Sequence, residues 1–384
     1  MARLARRLAG FGTSVFTEMT ALAERHRAVN LGQGFPSFDG PEFVKEAAAA
    51  AMRAGHNQYA PMPGVVSLRE SIAAHQGRFY GLEYDPATEI TVHAGATEAL
   101  CATVAGLLEP GDEVVVFEPF YDAYLPGIAL AQARPRVVAL EAPEFRLEPD
   151  ALEAAVSSRT RLLLLNSPCN PAGRVFDRGE LALIAETCRR HDLVAVTDEV
   201  YEHIVFDGAH LPLATLPGMR ERTVTISSAG KTFSFTGWKV GWSCAAAELT
   251  AAVRAVHQFV TFAVATPFQH AMAQALAAPD AFFRQLGDDY RARRDRLCRG
   301  LAEVGLGVRP PEGTYFALAD VRPLRFTDDE VFCRHLVESV GVAAIPMSAF
   351  TVDGHVRHLV RFAFCKDEAT LDEAVRRLRR LEPR

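Results

Sequence analysis

TRLLLLNSPCNPAGRVFDRGELALIAETCRRHDLVAVTDEV, Thr160 to Val200, carries the rhythm that decides the fold. Two short apolar runs, LLLL and LVAV, each end in polar residues, and a helical stretch separates them. Neither run alternates apolar with polar residues. A strand without alternation is buried on both faces, as in a mostly parallel sheet covered by helices. The rhythm extends outward. EITVHAG (89–95), DEVVVFEPF (112–120), RPRVVAL (134–140) and RTVTISS (222–228) read as further strands, and TEALCATVAGLLEPG (97–111) as a nearly all-apolar, buried helix. Strands alternating with helices predict an α/β architecture.

The flanks differ from this centre. LGQGFPSFDGP (31–41) and NQYAPMPG (57–64) are dense in Gly and Pro and read as loops. PEFVKEAAAAAMRA (41–54) and VVSLRESIAAHQGRFYG (65–81) read as helices, the first with Pro41 in its opening turn. From about residue 285 the pattern mixes strands (GTYFALADV, GVAAIPMSAF, HLVRFAFC) with helices (TDDEVFCRHLVESVG, DEATLDEAVRRLRRL). The expected division is an N-terminal segment, 1–40, that joins a smaller α+β domain; a large domain, 41–285; and a C-terminal small domain, 286–384.

Bulk properties exclude several classes. With 384 residues, 49% of them hydrophobic, the chain can bury a large core. A net charge of −6 argues against a nucleic-acid partner, and the arginines at 376–380 read as the solvated face of a terminal helix. Cys101, Cys169, Cys188, Cys244, Cys298, Cys333 and Cys365 are scattered and never in CxxC spacing, so reduced thiols in the cytoplasm are expected, not disulfides or a metal site. The start, MARLARRLAGFG, lacks the apolar stretch of a secretory signal, and no window holds eighteen apolar residues without a charge, so no membrane span is expected.

In open α/β sheets ligands sit beyond the carboxyl ends of the strands. After EITV come Gly95, Ala96 and Thr97, a tight turn into a helix whose free N–H groups suit a phosphate. After VVVF comes Tyr121, a ring able to stack on a flat heterocycle. After LLLL comes Asn170, an amide donor. After VAVT come Asp198, a carboxylate that needs a partner if buried, and Tyr201. After VTIS come Ser228, Lys231 and, past a glycine-flanked loop, Lys239. Lysine is the natural imine-forming nucleophile, because desolvation and neighbouring cations lower its pKa. Each residue alone could be a cap or a turn; the ordered set is hard to explain that way.

GATEA (95–99), NSPCNPAG (166–173), TDEVY (197–201), SSAGKTFSFTGWKVGW (227–242) and VRFAF (360–364) together resemble a class I/II aminotransferase of pyridoxal-phosphate fold type I. QGFPSFDGP, NQYAPMPG and EPFYDAY are most similar to the kynurenine–glutamine and methionine aminotransferase subgroup. The resemblance implies a seven-stranded, mostly parallel sheet between helices, a homodimer, and pyridoxal 5′-phosphate as cofactor. It implies that Lys231 carries the cofactor aldehyde and shuttles the substrate proton. Asp198 would pair with the pyridinium nitrogen, Tyr201 and Asn170 hold the ring oxygen, and Tyr121 stack on the ring. Gly95, Ala96, Thr97, Ser228 and Lys239 would bind the phosphate, joined by Tyr59 from the neighbouring subunit. Arg361 and Gly34 would grip the substrate α-carboxylate, and Phe16, Phe35, Tyr59 and Phe262 would line the side-chain pocket. Those apolar and aromatic residues favour methionine, aromatic, glutamine or kynurenine-like donors over aspartate. Ala263, where some kynurenine-type relatives carry histidine, argues against strict kynurenine specificity. Cys169 departs from the usual residue in its motif. The alternative on the same fold is a carbon–sulfur β-lyase; a nicotinamide dehydrogenase fails for want of a GxGxxG after a strand.

Overall fold

A computed structural model of the chain describes residues 5–12 and 14–382. Its centre is a seven-stranded sheet of β1 (Ile90–His93), β2 (Glu113–Glu118), β3 (Arg134–Ala139), β4 (Thr160–Asn166), β5 (Val194–Asp198), β6 (Thr223–Ser228) and β7 (Gly241–Cys244). The order across the sheet is β1-β7-β6-β5-β4-β2-β3. Only β7 runs antiparallel to its neighbours, so the expected mostly parallel sheet is present.

The uninterrupted leucine run follows from burial on both faces. Leu163 and Leu165 of β4 join one apolar cluster, with Phe117 and Phe176; Leu162 and Leu164 join another, with Val114 and Val116. β3 departs from this reading. It lies at the sheet edge, where only Val138 is buried; Arg134 is exposed and Arg136 is half-buried, donating to the Ala155 carbonyl at 3.3 Å. An apolar run of two valines does not tell an edge from a centre.

Strand register sets up the site. Asn166 of β4 is level with Asp198 of β5, Asp198 with Ile226 of β6, and Ser228 at the end of β6 with Gly241 of β7. The helix Ala96–Leu107 leaves the end of β1 and crosses the helix Ala247–Val260. A Cβ on Gly106 would stand 2.6 Å from the Ala252 carbonyl oxygen, so this crossing requires glycine.

The C-terminal part holds a four-stranded antiparallel sheet of β8 (Gly307–Arg309), β9 (Phe316–Asp320), β10 (Ile345–Pro346) and β11 (Leu359–Ala363), ordered β10-β11-β9-β8. Val29–Asn30 pairs in parallel with Val342–Ala343, which ties the N-terminal segment to this part. GVAAIPMSAF does not form the single strand expected. It splits into two two-residue pieces and a 3-10 turn, Met347–Phe350, because the pieces pair with different partners, Val342–Ala343 with Val29–Asn30 and Ile345–Pro346 with β11. The helix Asp280–Glu303 runs unbroken through residue 285.

Close packing at Gly106 makes a specific expectation. Gly106→Ala should destabilise by about 1–3 kcal/mol through overpacking. Gly127, in the helix Tyr124–Leu130 with nothing within 4 Å of its would-be Cβ, should gain up to about 1 kcal/mol on change to Ala. Thermal melts of the two variants should move in opposite directions; a common shift would contradict the assigned packing.

Candidate active site

The carboxyl ends of β1, β4, β5 and β6 open onto one cavity of about 450 Å³. Gly95, Ala96, Thr97, Tyr121, Asn170, Asp198, Tyr201, Ser228, Lys231 and Lys239 line it from the central sheet and its connections. Phe16, Gly34, Phe35 and Arg361 line it from the two ends of the chain. Two of the site residues named from the sequence are not brought to this cavity. Tyr59 is 86% exposed and Phe262 is 44% exposed, and their rings meet edge to face at 5.7 Å.

Lys231 sits on a four-residue helix, Ala229–Thr232, directly after β6. Its Nζ lies 5.7 Å from the ring centre of Tyr201 and 5.6 Å from that of Tyr315. Burial pushes the amine down to about 8, against the pull of Cys365 and Asp198, and Arg361 and Lys239 lower it further. An amine so placed is still mostly protonated at pH 7, but its uncharged fraction, the form that attacks or removes a proton, is far larger than that of a solvated lysine.

Asp198 is buried at the end of β5. Tyr124 Oη donates to its Oδ2 at 2.6 Å and the Val200 amide donates to its Oδ1 at 3.4 Å. Among the described residues no cation forms an ion pair with it, and burial raises its pKa. A buried carboxylate of this kind gains from an N–H⁺ placed against it.

The opposite need is met a few residues away. Gly95 caps the helix Ala96–Leu107 with φ +79° and no side-chain capping bond, which leaves the first N–H groups free to face the cavity. A Cβ on Gly95 would come within 3.0 Å of Lys239 Nζ, so that ammonium lies beside the helix start. A Cβ on Gly241 would stand 2.6 Å from the Gly95 carbonyl carbon, so the strand can approach only as glycine. Free N–H groups, one ammonium and the hydroxyls of Thr97 and Ser228 together make an anion seat.

Arg361, in β11, is 1% exposed. Its Nη1 donates to Asn170 Oδ1 at 2.6 Å and its Nη2 to the Gly32 carbonyl at 3.0 Å, while its Nε has no partner among the described residues. The guanidinium stacks 3.9 Å over Phe316. Burial lowers its pKa to about 10. A guanidinium held in place and left one donor short is prepared for an incoming carboxylate.

Several contributors escaped the sequence reading. Tyr124, the partner of Asp198, is three residues beyond Tyr121, and nothing in the surrounding sequence sets it apart from a core aromatic. Asn166 accepts from the Asn170 amide at 2.7 Å and donates to the Asp198 carbonyl at 2.8 Å, so it joins two site loops. Glu98 pairs with His93 at 2.9 Å and His257 at 3.0 Å and anchors the start of the phosphate-facing helix; the ligand atoms of these three are close enough to hold a metal ion, as are those of His75, Glu202 and His203, but neither group lines the cavity. Cys169 turns its thiol away, toward the Pro119 carbonyl at 3.8 Å, and burial pushes its pKa up to about 11. It is a packing residue.

The residues present fit pyridoxal phosphate. The anion seat suits its phosphate, the cation-free Asp198 its protonated ring nitrogen, and the lowered amine of Lys231 its aldehyde. The family model of class I and II aminotransferases matches residues 26–378. The chain is 54% identical to the solved N-succinyldiaminopimelate aminotransferase of Mycobacterium tuberculosis, with a TM-score of 0.96 over 99% of this chain and 100% of that one. It is 46% identical to a methionine aminotransferase of Escherichia coli, over 98% of this chain and 97% of that protein. It is 38% identical to human kynurenine–oxoglutarate transaminase 1, over 98% and 97%. The chain therefore belongs to the class I and II aminotransferases, pyridoxal-phosphate enzymes that move an amino group between an amino acid and a 2-oxo acid.

Proposed function

We propose that this enzyme transaminates L-amino acids with apolar, aromatic or uncharged polar side chains, with methionine, aromatic, glutamine or kynurenine-like donors preferred to aspartate. The observation that carries the reading is the set of three incomplete charges around one cavity: Lys231, Asp198 and Arg361. The names of the methionine and kynurenine relatives support the donor class, as do the rings of Phe16, Phe35 and Phe316 in the cavity wall. The same relatives are named for amino transfer, so the carbon–sulfur β-lyase alternative is not favoured.

Each residue then has a role. When bound, pyridoxal phosphate supplies an aldehyde that condenses with amines and a ring that draws electrons from the substrate Cα. Gly95, Ala96, Thr97, Ser228 and Lys239 hold its phosphate; Asp198 keeps its ring nitrogen protonated; Asn170 and Tyr201 orient its ring oxygen; Tyr121 covers its face. Arg361 and the Gly34 backbone fix the substrate α-carboxylate and so aim the Cα–H bond. Lys231 Nζ removes the Cα proton and returns it after the electrons have moved. Both half-reactions use this one site, so the first product leaves before the second substrate enters, which is ping-pong order.

Homodimerisation belongs to the same proposal. Tyr59, Phe259, Val260 and Phe262 form an exposed apolar patch, which supports burial against a second copy, with Tyr59 reaching the partner's phosphate site and Phe262 its substrate pocket. We assign residues 41–285 to the large domain, with 1–40 and 286–384 forming the small one; the second boundary lies inside the helix Asp280–Glu303. Cytoplasmic residence is supported by seven free cysteines; no helix among the described residues is long and apolar enough to cross a membrane.

A panel of amino donors against several 2-oxo acids tests the reading. Methionine, aromatic, glutamine and kynurenine donors should exceed aspartate in kcat/KM by about tenfold or more. A preference for aspartate, or release of pyruvate and ammonia without an oxo acid as the main reaction, would contradict it. Arg361→Lys should raise the amino-acid KM by about 10- to 100-fold with cofactor absorbance unchanged, because the charge stays and the bidentate geometry is lost. An unaltered KM would remove Arg361 from its role.

A further inference from the structure

The loop Leu31–Ser37 has no regular secondary structure, yet Gln33, Gly34 and Phe35 line the cavity. Backbone carbonyls in such a loop need donors from elsewhere. Four successive carbonyls find them in side chains from β9, β11 and their flanks. Arg361 Nη2 donates to Gly32 at 3.0 Å, and Tyr315 Oη donates to Gly34 at 2.5 Å. Lys366 Nζ donates to Gln33 at 3.2 Å and to Phe35 at 2.8 Å. The Lys366 ammonium also lies 4.8 Å from the centre of the Phe35 ring.

Lys366 is unusual in its own right. It is 4% exposed, three residues beyond the strand that carries Arg361, and among the described residues no carboxylate forms an ion pair with it. Burying an ammonium is costly, and burial lowers its pKa. A methionine would fill the same space without that cost. What methionine lacks is the ability to hold two carbonyls and a ring face at once.

We propose that Lys366 is a positioning residue for the amino-acid substrate: it fixes Gln33–Phe35 as a wall of the pocket and joins that wall to the strand bearing Arg361. The carboxylate grip and the side-chain wall then form one rigid unit, so Lys366 sets substrate affinity and side-chain selectivity and leaves the cofactor untouched. This rests on the substrate role proposed above for Arg361 and Gly34.

Lys366→Met in the holoenzyme tests it. The KM for the preferred donor should rise about tenfold, the loss of one charged hydrogen-bond donor. By the same reasoning kcat should stay within about threefold, and the kcat/KM ratio of an aromatic donor to alanine should fall. Cofactor affinity, read by absorbance titration of the cofactor-free protein, should not change, and Lys366→Arg should recover most of the KM. Should the methionine variant fail to fold, Lys366→Gln carries the same measurements. A folded variant with wild-type KM and selectivity would overturn the proposal. So would a parallel loss of kcat, cofactor affinity and KM that arginine does not restore. Absence of amino transfer in the wild-type enzyme would instead overturn the reading beneath it.

Discussion

Desolvation of three charged groups around one cavity is the constraint on which the site depends. Asp198 and Arg361 are buried and Lys231 is half-buried, and each has its pKa displaced by loss of water toward the neutral form. In water these groups would be ordinary. Out of water each gains from a partner of the opposite kind, so the protein stores a demand for a protonated ring nitrogen, an aldehyde and a carboxylate. Two neutral groups, Tyr124 donating to Asp198 and Asn170 accepting from Arg361, steady two of the charges without neutralising them.

Sheet topology makes this arrangement affordable. Parallel strands place their carboxyl ends on one edge, so residues distant in sequence, such as His93, Asn166, Asp198 and Ser228, end near one another. The single antiparallel strand, β7, brings Gly241 against Gly95 and, through the preceding loop, Lys239 to the helix start. The C-terminal sheet then closes the cavity with Arg361 and holds the irregular Leu31–Ser37 loop, by backbone bonds at its two ends and by side chains at Gly32–Phe35.

Much of this was legible in the chain because it is local. Apolar runs without alternation mark β2, β4, β5 and β6, and the polar residues that end the last three, Asn166, Asp198 and Ser228, line the cavity. What escaped depends on tertiary contact. Tyr124 and Asn166 act through neighbours on other strands, and nothing in their own surroundings separates them from core aromatics and turn formers. Lys366 reads as the start of a charged C-terminal stretch until the fold places it under a loop more than three hundred residues earlier. The edge position of β3 and the broken strand at Ile345–Pro346 likewise reflect neighbours present or absent, which short windows do not encode.

The central claim is that the amine of Lys231 bonds covalently to the cofactor aldehyde. Borohydride reduction of the freshly reconstituted enzyme, followed by peptide mass mapping, tests it most directly. The account requires one pyridoxyl adduct, on the peptide that contains Lys231. An adduct on Lys239, Lys366 or any other residue in its place, or no adduct at all, would contradict it.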